Sequence, residues 1–123
     1  MFDRRKVYVV DDDEAVRDSM RILLESLGIE VQDYPSASEF LARNGVDGDG
    51  CLLLDLHMPG MNGIELLELM QEQGTKLPTI VITGRSDPVL KDRALKAGAM
   101  DLLDKPVEDE VLIRSLERAF ELA

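Results

Sequence analysis

Lys6-Val7-Tyr8-Val9-Val10-Asp11-Asp12-Asp13 is the stretch that decides the fold. A short run rich in strand-forming residues ends abruptly in three carboxylates, and the amphipathic stretch behind them has helical spacing. That unit recurs. Further short apolar runs at Glu30 to Tyr34, Cys51 to Leu54, Thr79 to Ile82 and Met100 to Leu103 join Lys6 to Val10 as five expected strands, with amphipathic sequence after each. Strands alternating with helices make βαβ units, which predict a parallel sheet between two helical layers.

The helices are legible in their stripes and caps. Val16, Met20, Leu23, Leu24 and Leu27 recur at spacings close to three and four, which predicts one apolar face over the sheet, and Gly28 is placed to stop that helix. Ser36 with Glu39 has the capping-box pattern, Asn62 with Glu65 a weaker version, and Asp87-Pro88 sets a cap before a proline at the first helical position. A final helix is expected from about Val107, with Leu112, Ile113, Leu116 and Phe120 inward. The fourth helix is the poorest. Between Pro88 and Ala97 its apolar positions are mostly Leu90, Ala94, Leu95 and Ala97 among charged side chains, so weak anchoring and movement are expected there.

Composition narrows the function. A chain of 123 residues with 45% apolar content can bury one core without disulfide or metal staples. No apolar block is long enough to cross a bilayer, and none follows Met1-Phe2-Asp3-Arg4-Arg5-Lys6 as a signal peptide would require, so a soluble, cytoplasmic protein with no membrane partner is expected. Cys51 is the only cysteine and reads as a small buried hydrophobe. A formal charge of −11, from 25 acidic against 14 basic residues, opposes direct nucleic-acid binding by this domain.

Ligands of open parallel sheets bind outside the carboxyl ends of the strands. At those ends stand Asp11-Asp12-Asp13, Asp55, Thr83 and Lys105. Singly, each has an ordinary reading: Asp12 or Asp13 caps a helix, Asp55 opens a turn, Thr83 is a β-branched strand end and Lys105 a solvated amine. Their company points elsewhere. Holding Asp11, Asp12 and Asp55 together costs Coulomb repulsion unless a cation compensates, and oxygen ligands without Cys or a His side chain suit hard Mg2+, for which Mn2+ can substitute. Lys105 precedes Pro106, which disfavours the helical conformation and holds the lysine extended toward the carboxylates. A hydroxyl and an ammonium beside a metal are the donors that phosphoryl transfer needs, because that reaction is catalysed by positioning and charge neutralisation. His57, the single histidine, reads as a solvated loop side chain. Its backbone carbonyl, in the tight turn after Asp55, is the part aimed at the cation.

Val9-Val10-Asp11-Asp12-Asp13, Leu54-Asp55-Leu56-His57-Met58-Pro59-Gly60-Met61-Asn62-Gly63, Ile82-Thr83-Gly84 and Asp104-Lys105-Pro106 resemble, in this order and over essentially the whole chain, the signatures of response regulator receiver domains in the CheY-like superfamily. The wording is most similar to the FixJ type of transcriptional regulator. The resemblance implies an α/β fold, a flavodoxin-like (βα)5 three-layer sandwich whose five-stranded parallel sheet has the strand order 2-1-3-4-5. It further implies that residues 1–123 form one receiver domain, with no output domain in this chain. Asp55 is then the phosphoacceptor, Asp11 and Asp12 the acidic pair that holds Mg2+ with Asp55 and the His57 carbonyl, Thr83 the switch hydroxyl and Lys105 its ion-pair partner. The Lys105-Pro106 bond is expected cis. Leu102 departs from the pattern, since the family usually carries Tyr or Phe three residues before the lysine. Gly84 leaves the site open to small phosphodonors.

The function so implied is two-component signalling. A sensor histidine kinase donates a phosphoryl group to Asp55, and the surface switches to control an output, transcription in regulators of the FixJ type. Such a domain is a phosphoacceptor and not a turnover enzyme. Phosphorylation-dependent homodimerisation is expected through the fourth helix and fifth strand, where Asp87, Lys91, Asp92, Arg93, Lys96 and Asp101 offer both charge signs. Three other readings compete. Asp11 and Asp13 have the D-x-D spacing of haloacid-dehalogenase-type enzymes, which need a larger chain and further acidic motifs. A flavodoxin-like cofactor binder needs a loop rich in Ser, Thr or Gly where the three aspartates stand. An interaction module that only kept the fold would have no use for Asp55, Thr83 and Lys105.

Overall fold

Strands and helices alternate in a computed structural model that describes residues 5–43, 50–58, 60–84 and 87–122. In chain order they are β1 (Lys6–Val10), α1 (Glu14–Ser26), β2 (Glu30–Tyr34), α2 (Ala37–Arg43), β3 (Cys51–Asp55), α3 (Gly63–Glu72), β4 (Thr79–Thr83), α4 (Pro88–Lys96), β5 (Asp101–Asp104) and α5 (Asp109–Leu122). The N-terminal Met1-Phe2-Asp3-Arg4 and Pro59 of the turn motif fall outside the described residues. All strand pairs are parallel and the sheet runs β2-β1-β3-β4-β5, the order expected from the resemblance.

Successive strand residues point to opposite faces, and each face meets its own helices. Tyr8, Val10, Leu52, Leu54 and Val81 join a core with Phe40 of α2, Leu66 and Met70 of α3 and Ala94 of α4. Val7, Val9, Leu53, Ile80 and Ile82 join another with Leu24 of α1 and Leu112, Leu116 and Ala119 of α5. The result is a three-layer sandwich, in which each fully buried Leu or Ile contributes about 2 kcal/mol. Phe40 meets the rings of Tyr8 and Tyr34 edge-on, at 5.7 and 5.5 Å between centroids. Cys51 is buried, as the sequence suggested, and burial pushes its thiol up to about 12.

Several boundaries differ from expectation for local reasons. β3 and β4 each run one residue further, because Asp55 and Thr83 still pair in the ladder, with Ile82 and Asp104. α5 begins at Asp109, not Val107. Its first turn carries Asp109 and Glu110, where the helix dipole favours carboxylates, and the Leu112 N–H already bonds the Glu108 carbonyl. Leu27 does not join the inner face of α1. The helix ends at Ser26, the chain turns through Gly28 at φ 80°, and Ile29 goes inside while Leu27 is left 49% exposed.

The caps also redistribute. Asn62 and Glu65 form the full reciprocal capping box, the pair that looked weaker in sequence, while the Ser36 hydroxyl accepts from the Glu39 N–H at 3.1 Å. Asp87 caps α4 ahead of Pro88 as predicted. Of the α4 residues only Ala94 is buried, and Leu95, expected among its apolar positions, is 51% exposed.

Candidate functional site

Strand register assembles the polar residues into one row. Val10 pairs with Leu54, so Asp11 emerges level with Asp55; Asp55 pairs with Ile82, so Thr83 comes next; Thr83 pairs with Asp104, so Lys105 leaves the sheet one residue further on. With strands about 4.8 Å apart, residues from four parts of the chain become neighbours without any loop having to fold over the sheet.

Carboxylate oxygens of Asp11, Asp12 and Asp55 all lie within 4.8 Å of one another. Asp11 and Asp55 are nearly covered, at 2% and 5% exposure, whereas Asp12 faces solvent. The Lys105 ammonium reaches in to 3.0 Å from Asp11 Oδ2 and 3.6 Å from Asp55 Oδ1. Its own N–H is tied to the Thr83 carbonyl at 2.8 Å, and the Lys105-Pro106 peptide is cis, as the resemblance implied. Thr83 is fully buried.

Burial, reinforced by the negative charge of Asp11, pushes the Asp55 carboxyl up to about 6. Lys105 and the His57 N–H oppose that rise, and Asp12 adds to it. For Lys105, burial favours the neutral amine, but the hydrogen bond and charge of Asp11 together with the charge of Asp55 outweigh it and raise the lysine above its ordinary value. The ammonium is therefore a fixed positive charge at neutral pH.

Short-range bonds hold these groups in place. The Asp13 N–H donates to Asp11 Oδ1 at 2.9 Å, and the Asp13 carboxylate caps α1 by accepting from the N–H groups of Ala15 and Val16 at 2.9 and 3.4 Å. The His57 N–H donates to Asp55 Oδ1 at 3.3 Å. The His57 side chain is not solvated as the sequence suggested: it is half-buried, and its Nε2 lies inside with no hydrogen-bond partner among the described residues. Gly63 lets α3 start directly against the turn, because a Cβ there would sit 2.6 Å from the Asp55 carbonyl oxygen and 2.9 Å from Leu56 Cα.

One contact had no signal in the sequence. Arg17 of α1 donates to the Asp11 carbonyl at 2.7 Å and to Asp33 at 3.1 Å. The charges expected at the dimer surface are engaged within the chain: Lys91 with Asp104 at 3.0 Å, Arg93 with Glu68 at 3.2 Å, Lys96 with Asp92 at 2.9 Å, and Asp101 with Arg118 and the Ser115 hydroxyl.

The donor set is all oxygen, part buried and part open, with a cation on one side only. It fits a hard divalent ion that keeps some of its water, such as Mg2+. No helix among the described residues is long and apolar enough to cross a membrane.

Comparison with known proteins agrees with this fold. Residues 7–117 match the response regulator receiver domain family, whose members typically bind Mg2+ at an acidic pocket. The transcriptional regulatory protein FixJ of Bradyrhizobium diazoefficiens is 42% identical over 117 residues, covering 95% of this chain and 57% of that protein, and FixJ of Rhizobium meliloti is 44% identical over 115 residues, covering 94% and 56%. This chain thus spans about half the length of those relatives. The crystal structure of FixJ-N superposes with a TM-score of 0.91 at 42% identity, covering 100% of this chain and 98% of that one. The match over residues 7–117, the identity to the FixJ transcriptional regulators and the shared strand order place the chain in the response regulator receiver domain family.

Proposed function

We propose that this domain accepts a phosphoryl group on Asp55 from the phosphohistidine of a sensor histidine kinase, in the cytoplasm, and so switches a surface that controls transcription. The observation that carries the reading is the meeting of three carboxylates within 4.8 Å with the Lys105 ammonium against two of them. Asp11, Asp12 and Asp55 would hold Mg2+ together with the His57 carbonyl. The ion, when bound, neutralises the crowded carboxylates and the charge of the incoming phosphoryl oxygens.

The chain's own residues do the rest. An oxygen of Asp55 attacks phosphorus in line, the phosphorus–nitrogen bond to the donor histidine breaks, and the histidine nitrogen keeps that electron pair. Lys105 moves its interaction from the carboxylates to the new phosphoryl oxygens, and the Thr83 hydroxyl donates to another. The product is an acyl phosphate made once per domain, which is why the protein serves as a phosphoacceptor and not as a turnover enzyme. An apolar groove between α1 and the turn into α5, lined by Val16, Met20, Leu23, Pro106, Val107 and Leu112, opens beside Gly84 and Lys105, and on this reading it is where the donor protein docks. Phosphorylation then favours a homodimer through α4 and β5, where Val89 and Leu95 stand exposed.

Incubation with acetyl phosphate and Mg2+ followed by intact-mass spectrometry tests the reading. A gain of one phosphoryl group, absent in Asp55→Asn and absent without the metal, is the expected result. Modification that persists in Asp55→Asn would sink it.

A further inference from the structure

Arg17 stands behind the acid cradle with its side chain only 12% exposed. Its Nη1 donates to the backbone carbonyl of Asp11 at 2.7 Å and its Nε to Asp33 Oδ2 at 3.1 Å. Asp33, on β2, also receives Arg21, one helical turn further along α1. The carbonyl that Arg17 holds belongs to the peptide joining Asp11 to Asp12. A peptide is planar, so fixing the direction of that carbonyl fixes the plane from which the two carboxylates depart. On the other side of Asp11, its N–H is bonded to the Tyr34 carbonyl at 3.2 Å. Both flanks of the residue are therefore restrained, one from β2 and the other from α1.

We infer that Arg17 is a positioning residue for the divalent cation: by gripping the Asp11 carbonyl it keeps Asp11 and Asp12 converged with Asp55 on one point. This rests on the metal reading proposed above. A purely structural role, fastening α1 to β2 through Asp33, is already shared by Arg21, whereas the bond to the Asp11 carbonyl belongs to Arg17. A guanidinium suits the task because its fork serves a carbonyl and a carboxylate at once, which a single ammonium does poorly.

Calorimetric titration of MgCl2 into the wild-type domain, Arg17→Ala, Arg17→Lys and Asp33→Asn, with urea denaturation of each, separates the two roles. Arg17→Ala is expected to weaken Mg2+ binding about tenfold, as loss of a group that orients a ligand does, and Arg17→Lys to weaken it by less. Asp33→Asn leaves the bond to the carbonyl in place, so it should lower stability with Mg2+ affinity nearly unchanged. Equal affinity in the wild type and both Arg17 variants would overturn the inference, as would an affinity that falls in step with stability across the set. Should Arg17→Ala fail to fold, Arg17→Lys against Asp33→Asn decides by the same criterion. A wild-type domain that takes up no Mg2+ overturns the metal reading itself, and this inference with it.

Discussion

Asp33 receives two guanidiniums, and its protonation reports on both. Burial alone would push this carboxyl up, but the hydrogen bonds and charges of Arg21 and Arg17 outweigh burial and hold it below the ordinary carboxylate value. A group whose pKa is depressed by folding stabilises the fold above its unfolded pKa and loses that contribution as pH falls through the folded one. Asp33→Asn should therefore cost about 1 kcal/mol at neutral pH, a figure kept small by partial exposure of the pair. The difference from wild type should shrink toward zero as urea denaturation is repeated in increasingly acid buffer. At this scale the sequence was legible where a residue type implies a partner: the meeting of Asp11, Asp12, Asp55 and Lys105 was readable from their places at strand ends. Arg17 was not, because a helical arginine has the same signature whether it ends in water or on a carbonyl.

Among the elements, α4 has the thinnest apolar anchor and leans on charge. Ala94 is its one buried residue and Leu90 packs only partly against the core, while polar contacts tie Lys91 to Asp104 of β5, Arg93 to Glu68 of α3, and the Lys96 carbonyl to the Gln71 side chain at 3.2 Å. Exposed ion pairs of this kind contribute less than about 1 kcal/mol each and weaken in salt. Amide exchange in α4 should accordingly be faster than in α1, α3 or α5, faster again in Lys91→Ala, and sensitive to ionic strength. Uniform exchange across the helices would contradict this account. The poor apolar stripe of α4 was visible in sequence; the ion pairs were not, since a charge pattern alone does not say whether Lys91 pairs with its own helix, with β5 or with another molecule. The same ambiguity explains Leu27, whose spacing fitted the inner face of α1 although the turn at Gly28 delivers Ile29 there in its place.

For the whole molecule, the decisive property is that a parallel sheet collects distant segments at one edge, which is why fold and site could be read together from strand ends. Oligomeric state is the property least fixed by that logic, because the charges of α4 and β5 already have partners within the chain. Size-exclusion chromatography with and without beryllofluoride should show a monomer becoming a dimer; a monomer under both conditions would refute the proposed interface. The depth of Cys51 has a practical corollary. The only thiol of the chain, sealed at the start of β3 and pushed up to about 12, is closed to alkylating reagents as long as the sheet is intact. Its labelling rate is thus a native clock for complete opening of the domain, needing no engineered probe, and any ligand that tightens the fold would slow it.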